Sequence, residues 1–130
     1  MPTVLFLCVA NSARSQMAEG LARALAPPGY RFFSAGSQPG TLNPLAVQAL
    51  AEQGIDISHH RAQGLDDMPL AEADVIVTLC AEEVCPFVPG DVQRLHWPLP
   101  DPRDLAGFRS TRDELRRRLP ALWSDQPNVR

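Results

Sequence analysis

The sequence predicts an α/β fold, a single domain over residues 1–130 built on a four-stranded parallel sheet flanked by helices on both faces. Short apolar segments alternate along the chain with segments of helical periodicity. Every connection between successive strands is long enough for the crossover that parallel strands require. A length of 130 residues and a hydrophobic content of 45% suffice for one core.

Four strands are predicted from short apolar runs. The first, Val4–Leu7, does not alternate with polar residues, so we expect it to be buried on both faces of the sheet. The others follow in chain order: Tyr30–Ser34, Asp74–Leu79 and Val92–His96. Because ligands of such sheets bind at the carboxyl ends of the strands, the residues that follow the strands are candidates for one shared site.

Helices are predicted between and after the strands. Apolar residues recur at a four-residue spacing over Gln16–Ala26. Asn43, followed by proline, is a good cap for a helix that runs to about Gln53 and ends before a glycine. Two more are predicted: a short helix at Leu65–Ala73, interrupted by Pro69, and a last helix that ends near Trp123 and begins near Phe108, or near Arg112 if Thr111 opens a capping box.

The composition excludes several classes of function. Charged residues make up 21% of the chain and the net charge is −3, which disfavours disorder and nucleic-acid binding. The cysteine count of 3 is odd, which argues against a secreted disulfide framework. No stretch reaches the length of a membrane span, and the apolar start lacks the basic region of a signal peptide. We therefore expect a cytoplasmic protein without a membrane partner.

The loop after the first strand carries the clearest functional signal. Cys8 ends that strand, and Arg14 follows six positions later, where a helix begins. Such a loop can point its N–H groups inward as an anion nest, and the helix directs its N-terminus to the same place. Arg14 adds a planar fork of donors suited to a tetrahedral oxyanion. This positive field favours the thiolate form of Cys8, which is a nucleophile.

The same loop can also be interpreted as having a structural role only. A buried cysteine at a strand end is usually a small apolar residue, and the C-x5-R spacing alone is a loose pattern. The position between strand and helix, with Ser15 directly after the arginine, makes the pattern much more specific. The oxyanion-binding residues predicted here are Val9, Ala10, Asn11, Ser12, Ala13 and Arg14.

The run Cys8–Gly20, CVANSARSQMAEG, resembles the low-molecular-weight protein tyrosine phosphatase superfamily and is most similar to its thioredoxin-coupled arsenate reductase branch. The resemblance implies the strand order 2-1-3-4, a Cys8 nucleophile and a Ser15 hydroxyl that helps to hold the thiolate. It also implies that Asp101, in an Asp-Pro pair after the fourth strand, protonates the departing oxygen. The alternative for Asp101 is an ordinary turn residue, since Asp before Pro is common in turns.

Cys80 and Cys85 distinguish a reductase from a phosphatase. A dithiol can supply two electrons without a metal or cofactor by becoming a disulfide. The resemblance implies a cascade over Cys8, Cys80 and Cys85 that reduces arsenate and is regenerated by thioredoxin or a similar reductant. The segment between Cys80 and Cys85 is shorter than is usual in that branch, which leaves its rearrangement open. The alternatives are core thiols, or two zinc ligands completed by one of His59, His60 and His96.

Two other functions stay open. A phosphatase of the same superfamily would act through a cysteinyl-phosphate, but the aromatic wall expected beside its Asp-Pro pair is missing, because Pro102 is followed by Arg103. A non-catalytic oxyanion-binding or redox-sensing module is the second. His59 and His60 are predicted to be structural. Asn11, Glu19 and Ser34 match positions linked to potassium in some relatives, but Gln63 stands where an acid is expected, so no cation or other metal site is predicted.

Overall fold

The computed structural model describes residues 2–81 and 90–123. Their strands form one parallel sheet in the order β2-β1-β3-β4, which confirms the predicted fold class and strand order. The strands are β1 (Thr3–Cys8), β2 (Arg31–Gly36), β3 (Val75–Thr78) and β4 (Gln93–His96). β1 lies between two neighbouring strands, and both faces of the sheet are covered at this point. All of its residues are therefore buried, as its unbroken apolar run predicts.

Three α-helices cover one face of the sheet and contact one another. They are α1 (Arg14–Leu25), α2 (Pro44–Ala51) and α3 (Leu105–Arg118), the last continuing as a 3₁₀ helix over Leu119–Leu122. Phe6 and Val77 point from the sheet into the core that these helices form. Within residues 2–81 and 90–123, no helix is both long and apolar enough to cross a membrane.

The other face of the sheet is covered by two short 3₁₀ helices, Leu65–Asp67 and Leu70–Glu72. They replace the short helix predicted over this segment, and Pro69 separates them, as the sequence indicates. Leu5 and Ile76 form the core on this side of the sheet. The alternation of β1 side chains between the two cores leaves its carboxyl end, rather than its faces, open to a ligand.

The predicted start is correct for α2, which ends at Ala51, about two residues before the predicted end, and the predicted start is wrong for α3. Leu45 N donates to Asn43 Oδ1 at 2.9 Å, which confirms the Asn43 cap. The last helix begins at Leu105, three residues before Phe108, because Asp104 Oδ1 accepts a hydrogen bond from Gly107 N at 2.8 Å. Asp104 is the capping residue, and Thr111 is buried inside the helix.

Glu52, just after α2, links that helix to α3. Its carboxylate accepts hydrogen bonds from Arg109 Nη2 at 2.6 Å and from Arg112 Nη1 at 2.8 Å. The hydrogen bonds from these two arginines, that of Arg109 first, lower the pKa of Glu52 from 4.5 to about 2. Since the pKa is lower in the folded protein, this stabilisation is present above pH 4.5 and is lost as the pH falls towards 2.

We expect Glu52→Gln to lower the melting temperature by a few degrees at neutral pH, because the amide cannot hold two guanidinium groups by charge. The difference from wild type should shrink as the pH is lowered from about 5 to about 3. Thermal unfolding followed by circular dichroism measures this, with Glu72→Gln, in an exposed pair with Arg31, as the matched control. A difference that stays constant over that pH range would contradict the assignment.

Candidate active site

The loop between β1 and α1 is tied to the segment that follows β2. Three of its carbonyl oxygens accept backbone hydrogen bonds, each at 2.9 Å: Val9 from Gln38, Ala10 from Gly40 and Ser12 from Asn43. These bonds turn the carbonyls away from the loop centre. In the described part of the chain, the N–H groups of Ala10, Ser12 and Ala13 donate to no protein acceptor. This is the arrangement that an anion nest requires.

The close approach of this loop to β2 depends on two residues. Asn11 has φ of +51°, in the left-handed region that asparagine tolerates better than most residues. Gly36 ends β2 directly beneath the loop, where a Cβ would lie 2.3 Å from Val9 O and 2.8 Å from Asn11 N. The second strand was predicted to end at Ser34, two residues before Gly36, so this role was not predicted. Its role comes from the pairing of Cys8 with Gly36, a register that local sequence does not reveal.

Cys8 lies at the base of the loop and is a buried free thiol. Its Sγ is 2.9 Å from Ser15 Oγ, which also accepts a hydrogen bond from Asn11 Nδ2 at 2.8 Å. Because α1 begins at Arg14, the positive end of the helix dipole is directed at the same place. The surroundings of the sulfur therefore favour negative charge.

A cavity of about 210 Å³ opens at Cys8. Its lining holds Cys8, Val9, Ala10, Ser12, Ala13, Arg14 and Asp101. Asn11 is the one predicted oxyanion-binding residue that is not part of the lining, because its side chain is buried and turned towards Ser15. The structure thus brings the predicted nucleophile, arginine, hydroxyl and acid together from two segments that are far apart in the sequence.

Arg14 is buried and joins the loop to the ends of two strands. Its Nη1 donates to Leu99 O at 2.9 Å and reaches Leu79 O at 3.5 Å. Its Nη2 lies 3.9 Å from Asp101 Oδ1. The Asp101 side chain is 67% exposed whereas that of Arg14 is 5% exposed, so the carboxyl group stands at the cavity mouth. A contact this long and exposed adds little stability, and the Asp101 side chain remains part of the cavity lining.

Arg14→Lys is expected to weaken oxyanion binding by at least about 100-fold, although the charge is kept. Lysine lacks the planar fork that spans Leu99 O and the cavity at the same time. Titration calorimetry with phosphate measures the affinity, and Arg103→Lys, on the same loop as Asp101, is the matched control. Wild-type affinity in Arg14→Lys would mean that Arg14 acts only as a distant charge.

Cys80 follows β3 and is also buried. Leu7 pairs with Thr78, so Cys8 and Cys80 leave adjacent strands at the same edge of the sheet. Cys80 is disulfide-bonded in this structure, in contrast to the free Cys8. Cys85 lies outside the described residues.

Two of the three histidines considered as zinc ligands have hydrogen-bond partners in the protein. His96 Nδ1 is 2.7 Å from Thr78 Oγ1, and His60 Nδ1 is 2.9 Å from Gln16 Oε1. Burial lowers the pKa of His60 below 6.5, against the opposing effect of Glu19, so the ring is neutral at neutral pH. Among the residues that the structure describes, no three His, Cys, Asp or Glu side chains are grouped so that they could hold a metal ion.

Glu19 and Ser34 lie together beside the loop. Glu19 Oε1 accepts a hydrogen bond from Ser34 Oγ at 2.5 Å, and its Oε2 is 2.8 Å from Arg23 Nη2. Asn11 Oδ1 instead accepts from Gln16 Nε2 and from Gln63 N. The oxygens of Glu19 and Asn11 are thus engaged by protein donors. Gln16 was not singled out in the sequence, where it reads as an ordinary first-turn residue of a helix.

The fold and the site define a class of protein. Its members have a parallel α/β sheet in which a central strand ends in a thiol and continues through a loop with the geometry of an anion nest into a helix. The sequence model of one family, described as low molecular weight phosphotyrosine protein phosphatase, matches residues 3–127. The chain belongs to this family.

Arsenate reductases are among the proteins that this chain is similar to. This confirms the resemblance to the arsenate reductase branch that was based on Cys8–Gly20. The arsenate reductase of Staphylococcus xylosus is 40% identical over 118 residues, 88% of this chain and 90% of that protein. A solved arsenate reductase in the phosphate-binding state has a TM-score of 0.84 at 33% identity, covering 94% of this chain and 96% of the other. The thioredoxin-dependent arsenate reductase of Corynebacterium glutamicum has a TM-score of 0.79 at 31% identity, covering 100% of this chain and 64% of the other.

Proposed function

We propose that this protein reduces arsenate to arsenite, with its own thiols as the source of electrons, and so serves resistance to arsenicals. The observation that carries the proposal is the redox state of the site: Cys80 is disulfide-bonded, beside a free Cys8 in an oxyanion-sized cavity. Hydrolysis of a phosphate ester uses the cavity thiol alone and gives no reason for a second, oxidisable thiol at this edge. The similarity to the arsenate reductases of S. xylosus and C. glutamicum supports the same reaction.

In the first step arsenate binds in the loop as a tetrahedral oxyanion. The inward N–H groups of the loop and the Arg14 guanidinium would hold its oxygens. The Cys8 thiolate then attacks arsenic and forms a sulfur–arsenic bond, and one oxygen leaves as water after Asp101 protonates it. Arsenic is still in the +5 state after this step, because no electron pair has been transferred to it.

In the second step the electrons are transferred. The Cys80 thiolate attacks Cys8 Sγ, a disulfide forms between the two residues, and the sulfur–arsenic bond breaks with its electron pair passing to arsenic. Arsenic leaves in the +3 state as arsenite. The Cys85 thiolate then attacks Cys80, which frees Cys8 and leaves a Cys80–Cys85 disulfide. The free thiol of Cys8 and the oxidised sulfur of Cys80 support this order of thiol exchanges.

An external dithiol must reduce that disulfide before the next cycle, and we propose thioredoxin or a similar protein for this role. The C. glutamicum relative described as thioredoxin-dependent supports this choice. These thiol exchanges need no cofactor, because in each exchange a thiolate attacks a disulfide and the disulfide bond moves to a new pair of thiols.

The proposal is tested by arsenate-dependent consumption of NADPH with thioredoxin and thioredoxin reductase, run in parallel with glutaredoxin and mycothiol systems. Hydrolysis of p-nitrophenyl phosphate is measured on the same preparation. We expect sustained turnover with arsenate in at least one reductant system and weak hydrolysis of the aryl phosphate. Efficient hydrolysis without arsenate turnover in any system would replace the reductase assignment with the phosphatase alternative.

A further inference from the structure

A continuous series of hydrogen bonds joins His60, on the segment after α2, to the sulfur of Cys8. His60 Nδ1 lies 2.9 Å from Gln16 Oε1, and Gln16 Nε2 lies 2.9 Å from Asn11 Oδ1. Asn11 Nδ2 lies 2.8 Å from Ser15 Oγ, which is 2.9 Å from Cys8 Sγ. The three middle residues are at most 1% exposed, so water does not compete for these bonds.

Two backbone groups set the direction of the two amides in this series. The carbonyl oxygen of Arg61 can only accept, and it lies 2.7 Å from Gln16, so the Gln16 nitrogen must face it. The N–H of Gln63 can only donate, and it lies 2.7 Å from Asn11, so the Asn11 oxygen must face it. The orientation of both side chains therefore follows from the chemistry of their backbone partners.

The direction of the remaining bonds follows from these two orientations. Gln16 Oε1 faces His60 and accepts from it, so His60 carries its hydrogen on Nδ1. Asn11 Nδ2 faces Ser15 and donates to its oxygen. The hydroxyl hydrogen of Ser15 is then left for Cys8 Sγ, which becomes the acceptor. A sulfur that accepts a hydrogen bond is best served by the thiolate form.

We propose that Gln16 and His60 are positioning residues that direct the Ser15 O–H towards Cys8 Sγ and thereby favour the reactive thiolate. The inference rests on the proposed function in taking Cys8 as the nucleophile. Neither side chain lines the cavity, so both act through Asn11 and Ser15. The segment His60–Gln63 contributes a ring, a carbonyl and an N–H group to the series, which links the loop after α2 to the chemistry of the site.

Other charged groups surround the two ends of the series. Arg14 and Asp101 line the cavity with Cys8. Four neighbouring residues interact electrostatically with His60: Glu19, Arg23, Asp56 and His59. The rings of His59 and His60 meet edge to face, with 4.8 Å between their centroids. The variants in the test therefore leave all of these charges in place, except for the control at His59.

The test measures the rate of Cys8 alkylation by iodoacetamide against pH in the oxidised protein, with the labelled peptide identified by mass spectrometry. Gln16→Met removes the amide without adding charge, and His60→Leu removes the Nδ1 donor. We expect both to raise the midpoint of the pH profile by roughly one unit, which lowers the rate below the midpoint about tenfold. His60→Asn, whose amide nitrogen can replace Nδ1, should restore the wild-type profile, and His59→Leu should leave it unchanged.

The inference is overturned if Gln16→Met and His60→Leu are folded, by circular dichroism, and their profiles coincide with that of wild type. It is also overturned if His60→Asn shifts the profile as far as His60→Leu does, because the donor would then be irrelevant. Alkylation does not require arsenate. Absence of arsenate turnover in wild type, together with the expected shifts, would therefore count against the proposed function and support the positioning roles.

Discussion

Cys8→Ser is expected to abolish arsenate reduction, with a loss of at least about 10⁴-fold. A serine hydroxyl without an adjacent base is a poor nucleophile, and among the described residues none of the side chains that line the cavity is a histidine or lysine. Serine also cannot form the disulfide through which the electrons pass. Any hydrolysis of aryl phosphates should disappear together with the reduction.

Oxyanion binding should survive in Cys8→Ser, since the loop N–H groups and Arg14 are unchanged. Phosphate affinity, measured by calorimetry, is therefore the control that separates loss of chemistry from loss of the site. Arsenate turnover by Cys8→Ser at a rate near that of wild type would show that another residue is the nucleophile.

Cys80→Ser and Cys85→Ser are expected to stop sustained arsenate turnover, while weak aryl-phosphate hydrolysis persists. The step at Cys8 needs only the cavity residues, whereas the later thiols are required to pass electrons onward. The two variants should stop at different points, Cys80→Ser as the Cys8–arsenic adduct and Cys85→Ser as a Cys8–Cys80 disulfide. Rapid-quench measurement of arsenite gives the yield of the first turnover. Of the two variants, we expect only Cys85→Ser to release close to one equivalent of arsenite. A shared loss of hydrolytic activity would instead indicate damage to the cavity.

The features of the fold that depend on local pattern could be predicted from the sequence. The unbroken apolar run of β1 indicates a central strand, and Asn43 before proline marks the start of α2. The predicted start of α3 was wrong because two possible capping residues, Asp104 and Thr111, lie within eight residues of each other. Asp104 prevails since a helix begun there places Phe108, which is 1% exposed, in the core.

The site could be predicted only as far as its residues belong to one motif or follow a strand. Cys8, Arg14 and Ser15 belong to a single sequence motif, and Asp101 and Cys80 come after strands that end at the same edge. Gly36 and His60 act across the tertiary structure, on partners 25 or more positions away. Nothing in their neighbouring residues indicates that role, because it arises from strand register and from the packing of the segment after α2.

The redox cascade is tested most directly by disulfide mapping after a single turnover. Fully reduced protein is mixed with one equivalent of arsenate, quenched with acid, digested and analysed by mass spectrometry without reduction. The proposed mechanism requires a Cys80–Cys85 linkage in wild type and a Cys8–Cys80 linkage in Cys85→Ser. If neither linkage forms and both serine variants turn over arsenate like wild type, the cascade is contradicted.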